Sequence, residues 1–192
     1  MNKPSAGLLL LLIALPIAGA FGVVHDQISY SVSPEYFTRF KFIQFDLLDS
    51  PQPARVRAAI VGFLASWWMG VPIGLLITPL ALMHRNGSAV FRAGVASFGI
   101  VTICTLLFAL SGLVYGYFQT QNINPANYHG WFLPPNLVDP RRFLCVGYMH
   151  NAAYLGGVAG IPVAWAYLLV MRFRIPRQVA QPLDSPRLRV SA

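Results

Sequence analysis

Four long runs of apolar residues dominate the chain, at 6–24, 58–83, 93–118 and 143–171. None of these runs contains Asp, Glu, Lys or Arg. Each can cross the hydrocarbon core of a bilayer, for which a helix needs about 20 residues. Because lipid offers no partners to backbone N–H and C=O groups, a spanning segment must be a helix. The pattern therefore predicts an all-α membrane protein with four transmembrane helices.

The first apolar run has a second interpretation. A basic residue, Lys3, precedes it, and Ala18-Gly19-Ala20 matches the cleavage pattern of a secretory signal peptide. Against cleavage, the apolar run continues as far as Val24. An uncleaved first helix can extend to about residue 31, and both interpretations place residue 25 on the same side of the membrane.

The segment after the first run predicts a short helix of its own. Ser33 is a typical N-cap, Pro34 suits the first helical position, and Glu35 suits the first turn. The residues that follow mix aromatic side chains with Arg39 and Lys41, which is typical of a helix that lies at a membrane surface. We therefore expect one extracytoplasmic interfacial helix over about 34–48, although its apolar residues do not form one clean stripe.

The composition supports a membrane protein and disfavours soluble classes. Only 10% of the residues are charged and 56% are hydrophobic, whereas a soluble domain has about 25% charged residues. A net charge of +8 would suggest nucleic acid on a soluble protein, but no nucleic-acid partner is expected here. The expected partner is the lipid bilayer, and other membrane-protein subunits stay open as further partners.

The basic residues predict the orientation. With a cytoplasmic N-terminus, the inner segments hold eight Lys and Arg residues and one acidic residue. The outer segments hold six Lys and Arg residues and five acidic residues. Lys and Arg accumulate on the cytoplasmic side, and the basic tail over 172–192 decides the balance. We expect a bacterial inner-membrane protein with both termini cytoplasmic and a disordered tail. If the first run is cleaved, the new N-terminus is extracytoplasmic.

Two histidines lie beside polar residues within the predicted bundle. His25 adjoins Asp26, and His150 adjoins Asn151. A helix that starts at Arg142 places His150 roughly 12 Å below the outer surface. An ionisable residue at such depth normally faces the bundle interior and has a partner. We therefore expect one buried polar cluster in the outer half, with the first and fourth helices as neighbours.

Three further residues are candidates for the edge of this cluster. Tyr154 lies one turn beyond His150 on the same helix face. Glu35 follows Asp26 by nine residues, so the interfacial helix can fold over the cluster. That arrangement would place Glu35 or Tyr36 at its rim.

The residue types leave several chemistries open. Imidazole and carboxylate groups together bind Zn or Fe, which makes His25, Asp26, Glu35 and His150 candidate metal ligands. Two opposed histidines can ligate haem, and a His–Asp pair can relay protons. Hydrogen bonding between helices explains the same residues without any ligand.

Three stretches carry a family resemblance: 25–30 (His-Asp-Gln-Ile-Ser-Tyr), 33–42 (Ser-Pro-Glu-Tyr-Phe-Thr-Arg-Phe-Lys-Phe) and 149–154 (Met-His-Asn-Ala-Ala-Tyr). With them the chain resembles, over most of its length, a group of bacterial four-helix integral membrane proteins. That group has no established activity. The resemblance therefore implies the four-helix architecture and transfers no catalytic residue and no cofactor.

Three function classes follow from the sequence. The leading one is a non-enzymatic accessory or structural membrane protein with a buried polar cluster. The second is a metal- or haem-dependent membrane enzyme that uses His25, Asp26 and His150. The third, a small-molecule or proton transporter, is disfavoured because the chain has no inverted repeats.

Overall fold

The computed structural model describes residues 1–174, which form helices and no strand. In chain order the elements are α1 (Lys3–Val32), the short helix α2 (34–44), α3 (Ala54–Ala81), α4 (Gly87–Gln119) and α5 (Pro140–Arg174). A 3-10 turn at Pro125–Tyr128 lies in the loop before α5. The four long helices are each long and apolar enough to cross a membrane.

The four predicted runs are confirmed as helices, and each helix is longer than its run. α1 is continuous to Val32, so it includes the extension that the sequence allowed beyond residue 24. α5 continues to Arg174, and the first residues of the predicted basic tail are therefore helical. The rest of that tail, 175–192, lies outside the described residues.

The bundle consists of two close helix pairs, α1 with α3 and α4 with α5. In the first pair Gly22 meets Gly62 backbone to backbone, and Gly70 lies against the backbone of α1. In the second pair Gly112 packs against the backbone of Tyr148. A Cβ at any of these glycines would collide with the facing helix. The missing side chains are what permit such close approach.

The two pairs touch unevenly. α1 packs along α4, and the second half of α3 contacts both α4 and α5. The first half of α3, Ala54–Ser66, makes no comparable contact with α5 in the described chain. Toward the end that carries the segments 33–53 and 120–139, side chains of the short helix α2 lie between the pairs, and Phe37 and Phe42 share one buried cluster with Val61 of α3 and Val146 of α5. We call this end the loop-rich end, and the opposite end, where 82–86 joins α3 to α4, the hairpin end.

α2 is shorter than the interfacial helix predicted over 34–48. Ser33 caps its first turn as the sequence predicts, but the helix ends at Gln44. Asp46 has a φ of 55°, a left-handed conformation that Asp tolerates, and the Leu47 N–H bonds back to the Phe42 carbonyl at 2.7 Å. This is a Schellman termination, and it stops the helix before its predicted end.

The middle of α2, Phe37–Lys41, is a π-helical turn. Its bonds run from residue i to i+5, so side chains five residues apart lie near one another. Phe37 and Phe42 share the buried face with ring centroids 5.8 Å apart, and the Lys41 ammonium lies 6.0 Å from the Tyr36 ring. This spacing explains why the apolar residues do not form an α-helical stripe in the sequence.

α3 contains one 3-10 turn midway, at Trp67–Met69. Pro72 lacks an N–H to bond with the carbonyl of Trp68, and its ring crowds that carbonyl. The break is therefore where proline chemistry predicts it. Met69 and Gly70, at and just after the turn, line the cavity described below.

Candidate metal centre

Three polar side chains meet between α1 and α5 near the loop-rich end. Asp26 Oδ1 lies 3.1 Å from His25 Nδ1 and 3.5 Å from His150 Nε2. The two imidazole rings are nearly perpendicular, with centroids 4.6 Å apart. His25 and Asp26 are each only 4% exposed. We call these residues the His–Asp–His cluster, whose possible ligand atoms all lie within 4.8 Å of one another.

The position of α1 explains how two consecutive residues can both be buried. Adjacent residues on a helix point about 100° apart, so an edge helix would expose one of them. α1 instead packs along both α3 and α4 and also touches α5. Neighbouring helices therefore cover the faces that carry both His25 and Asp26.

The backbone of α5 fixes the proton on His150. His150 Nδ1 lies 3.0 Å from the carbonyl oxygen of Val146. A carbonyl only accepts hydrogen bonds, so Nδ1 donates. In the neutral ring Nε2 then carries a lone pair, and it faces the Asp26 carboxylate, which is also an acceptor. Two facing acceptors need either a second proton on the imidazole or a cation between them.

His25 is arranged in a related way from the other helix. Its Nδ1 donates to Asp26 Oδ1 at 3.1 Å, which leaves Nε2 with a lone pair. That buried Nε2 atom has no hydrogen-bond partner within the described chain. Nε2 lies on the far side of the ring from Asp26, so an ion held by Asp26 Oδ1 would use His25 Nδ1 at 3.1 Å, in the tautomer that carries its proton on Nε2, together with His150 Nε2 at 3.5 Å.

The spacing of Asp26 and His150 suits a shared cation as well as a hydrogen bond. N–H···O bonds are mostly about 2.7–3.2 Å long, so 3.5 Å is a long contact for a hydrogen bond. Bonds of about 2.0–2.2 Å to a tetrahedral ion hold two ligand atoms roughly 3.4 Å apart. Metal-bound histidines commonly donate their second ring N–H to a carbonyl or carboxylate, as His150 does to Val146.

The ring geometry excludes one chemistry that the sequence leaves open. A haem with two axial histidines holds them on opposite faces of a flat macrocycle. His25 and His150 instead lie edge to face at 4.6 Å between centroids. No space for a macrocycle remains between the two rings, so they cannot be the paired axial ligands of one haem.

The two aromatic residues predicted for the rim lie beside the cluster. Tyr36 is buried, and its ring centroid is 5.0 Å from that of His150, so α2 covers this imidazole. Burial raises the pKa of the Tyr36 phenol above its ordinary value, and Tyr154 and Asp26 raise it further. Tyr36 is therefore a neutral packing group. Tyr154 lines the adjoining cavity and is 61% exposed.

Glu35 and Asn151, the other predicted members, lie elsewhere. The two carboxylate oxygens of Glu35 accept the N–H groups of Val138 at 2.8 Å and Asp139 at 2.9 Å. Glu35 thus fastens the loop that precedes α5, and it is not in the ligand set. Asn151 is exposed, because the step of about 100° from His150 turns it out of the bundle.

Lys41 faces the cavity beside the cluster, although its position in the sequence predicts only a surface cation. It lines the same cavity as the His–Asp–His cluster, and its ammonium donates to Gln44 Oε1 at 3.0 Å. Burial lowers the pKa of Lys41 below its ordinary value, and the charge of Asp26 opposes this shift. In the sequence, Lys41 follows Tyr36 by five residues. Side chains five residues apart lie near one another only in a π-helical turn, so this spacing could not be interpreted before the turn was known.

A cavity of about 120 Å³ runs from the cluster into the bundle between the two helix pairs. Its polar end is formed by the cluster, Lys41 and Tyr154. Tyr154 lies well within α5 and is 61% exposed, so the cavity reaches the surface of the bundle beside this residue. The walls are mostly apolar and include Ile17, Phe21, Met69, Ile73, Phe98 and Val101.

No protein-family model matches the chain, and comparisons with curated proteins and with solved structures give no match.

Proposed function

We propose that this protein is a multi-pass membrane enzyme that binds a transition-metal ion through the His–Asp–His cluster. Four helices long and apolar enough to span a bilayer support the membrane location. One observation carries the metal site: His150 commits Nδ1 to Val146 and presents the lone pair of Nε2 to Asp26, beside a second imidazole. Two imidazoles and one carboxylate suit zinc or non-haem iron.

The proposed location is the bacterial inner membrane, with both termini in the cytoplasm. Arg85 and Arg92 at the hairpin end support this orientation through the positive-inside rule. Ala6, Leu10 and Ala14 of α1 are buried in the core. Their burial supports a retained first helix over a cleaved signal peptide.

A set of three protein ligands suits a reactive site more than a structural one. Structural zinc sites use four protein ligands, whereas catalytic sites use three and leave a position for water or substrate. The cavity leads to such a position from the side of the bundle. A metal ion there would activate a water molecule or polarise a substrate oxygen.

Metal analysis of the purified full-length protein tests the proposal. We expect about one zinc or iron ion per chain in the wild type, as for a mononuclear site. Asp26→Asn and His150→Ala should lose it, and His84→Ala, which changes another buried histidine, should keep it. A folded wild-type protein that binds neither Zn²⁺ nor Fe²⁺ after incubation would overturn the metal site. The cluster would then act only as a polar contact between helices.

A further inference from the structure

The cavity has a polar end and a long apolar body. Along α1 its lining residues run from Asp26 to Ala14, a distance of roughly 18 Å at 1.5 Å per residue. Every charged or histidine side chain in the lining belongs to the polar end. A ligand that matches this gradient carries one polar group at the end of an extended apolar chain.

The size and the opening of the cavity restrict the ligand further. Its volume of about 120 Å³ is below the roughly 300–1,000 Å³ typical of small-molecule sites, so it has room for part of an acyl chain and not for a ring system. Tyr154 lines the cavity and is exposed on the side of the bundle, well inside the span of α5. In a membrane that side faces lipid, and part of a bound chain can remain in the bilayer.

The charge at the polar end selects the head group. The Lys41 ammonium has an amide partner, Gln44, and no salt bridge to any acid in the part of the chain described. A metal ion in the His–Asp–His cluster would add a second positive charge. Carboxylate and phosphate groups accept charge-assisted hydrogen bonds from an ammonium and also ligate transition metals.

We infer that the cavity binds a membrane amphiphile with an acyl chain and an anionic carboxylate or phosphate head group. The acyl chain would lie among Phe21, Met69 and Ile73, with the head group between Lys41 and the cluster. The inference rests on the proposed function for one of its two anchoring charges, the metal ion. Lys41 supplies the other.

Photolabelling of the purified full-length protein tests this ligand class. The probe is palmitic acid with a diazirine on its chain, and the matched probe is the corresponding alcohol. We expect the acid to label peptides of α3 and α4 that line the cavity, with about tenfold higher affinity than the alcohol, the ratio expected for one charged hydrogen bond. Equal labelling of these peptides by the two probes would overturn the inference.

Two variants localise the site. Lys41→Gln should weaken labelling by the acid about tenfold, whereas Arg39→Gln, which removes an exposed cation on the same helix, should not. Ala65→Phe should fill the cavity and abolish labelling while the metal content stays unchanged. Thr102→Phe narrows the cavity from α4 and replaces Ala65→Phe if that variant misfolds. Full labelling of a folded, filled variant would overturn the inference.

Competition distinguishes the sources of the head group. Loss of labelling with unlabelled oleic acid supports a carboxylate head group, and loss with phosphatidic acid supports a phosphate one. Loss with inorganic phosphate alone would overturn the acyl-chain part of the inference, because a free anion would then be sufficient.

Metal content measured on the same samples distinguishes this inference from the proposed function. Bound metal with no preference for the acid would overturn the inference and leave the metal site in place. Labelling that prefers the acid and depends on Lys41, in a protein without metal, would overturn the proposed function and support the amphiphile site through Lys41.

Discussion

Buried histidines occur at both ends of the bundle, but their surroundings differ. At the hairpin end His84 is 3% exposed, and its Nδ1 donates to the carbonyl of Ala81 at 3.1 Å. Ala81 is the last residue of α3, and the last carbonyls of a helix lack partners within the helix. The backbone N–H of His84 bonds the same carbonyl at 3.1 Å, so the imidazole adds a second hydrogen bond at the end of a helix.

At the loop-rich end His150 makes a similar bond with a different consequence. Its acceptor, Val146, lies well inside α5, so the bond orients the imidazole instead of capping a helix end. The Nε2 atoms of both His25 and His84 are buried without a partner in the described part of the chain. An unpartnered imidazole therefore does not identify a site by itself. The carboxylate and the second imidazole distinguish the loop-rich end.

The largest expected effect comes from removing the carboxylate. Asp26→Asn keeps the size of the side chain but removes the charge that contacts both imidazoles. We expect the affinity for the metal ion to fall by about 100-fold or more. Mutation of residues that only hold a ligand in place typically lowers metal affinity by about 10–100-fold, and loss of a ligand itself should cost at least as much. Titration against a competing chelator measures the change. Unchanged affinity would remove the proposed distinction between the two ends.

His84→Ala is the corresponding change at the hairpin end. We expect the free energy of unfolding to fall by about 1–3 kcal/mol, because a buried hydrogen bond to a helix end is lost. Metal content should remain that of the wild type. Thermal unfolding and metal analysis of one preparation measure both quantities. Loss of the metal ion from the His84→Ala protein, as expected for the His150→Ala protein, would show that the two ends of the bundle do not differ in metal binding.

Glu35→Ala tests whether α2 supports the loop-rich end without supplying a ligand. Loss of the bonds to Val138 and Asp139 should lower the free energy of unfolding by about 1 kcal/mol, because the bonds are partly exposed to solvent. The metal ion should stay bound, since Glu35 is outside the cluster. If the Glu35→Ala protein lost as much metal as the Asp26→Asn protein, this result would instead indicate that Glu35 is a metal ligand.

Asn151→Ala should have the smallest effect. The side chain is exposed, and surface changes of this kind usually stay within about 0.5 kcal/mol. Thermal unfolding and metal content should match those of the wild type. A clear loss of metal would show that α5 is rotated toward Asn151, which would move His150 away from Asp26.

The polar cluster could be predicted only in part. His25, Asp26 and His150 lie at similar depths on two spans. Because ionisable groups that face lipid are energetically unfavourable, this similarity was sufficient to predict that the three side chains meet. Asn151 was included because neighbours in sequence share the same depth. The direction in which each side chain points depends on the rotation of α5, which packing decides. The carboxylate of Glu35 accepts backbone N–H groups from a loop about 100 residues later in the chain. No pattern in the neighbouring sequence indicates such a distant partner.

The sequence by itself determined the four helices, because long uncharged apolar runs leave the backbone no other way to satisfy its polar groups in lipid. It also determined the start of α2 through Ser33, since an N-cap is a local effect of a single residue type. Only the tertiary structure decided where α2 ends, that its middle is π-helical, and that Lys41 faces the same cavity as the cluster. It also decided that this cavity reaches the surface of the bundle beside Tyr154. These features depend on contacts between residues far apart in the chain. Such contacts form only when the bundle has formed, and their energies can then outweigh the local conformational preferences of each segment.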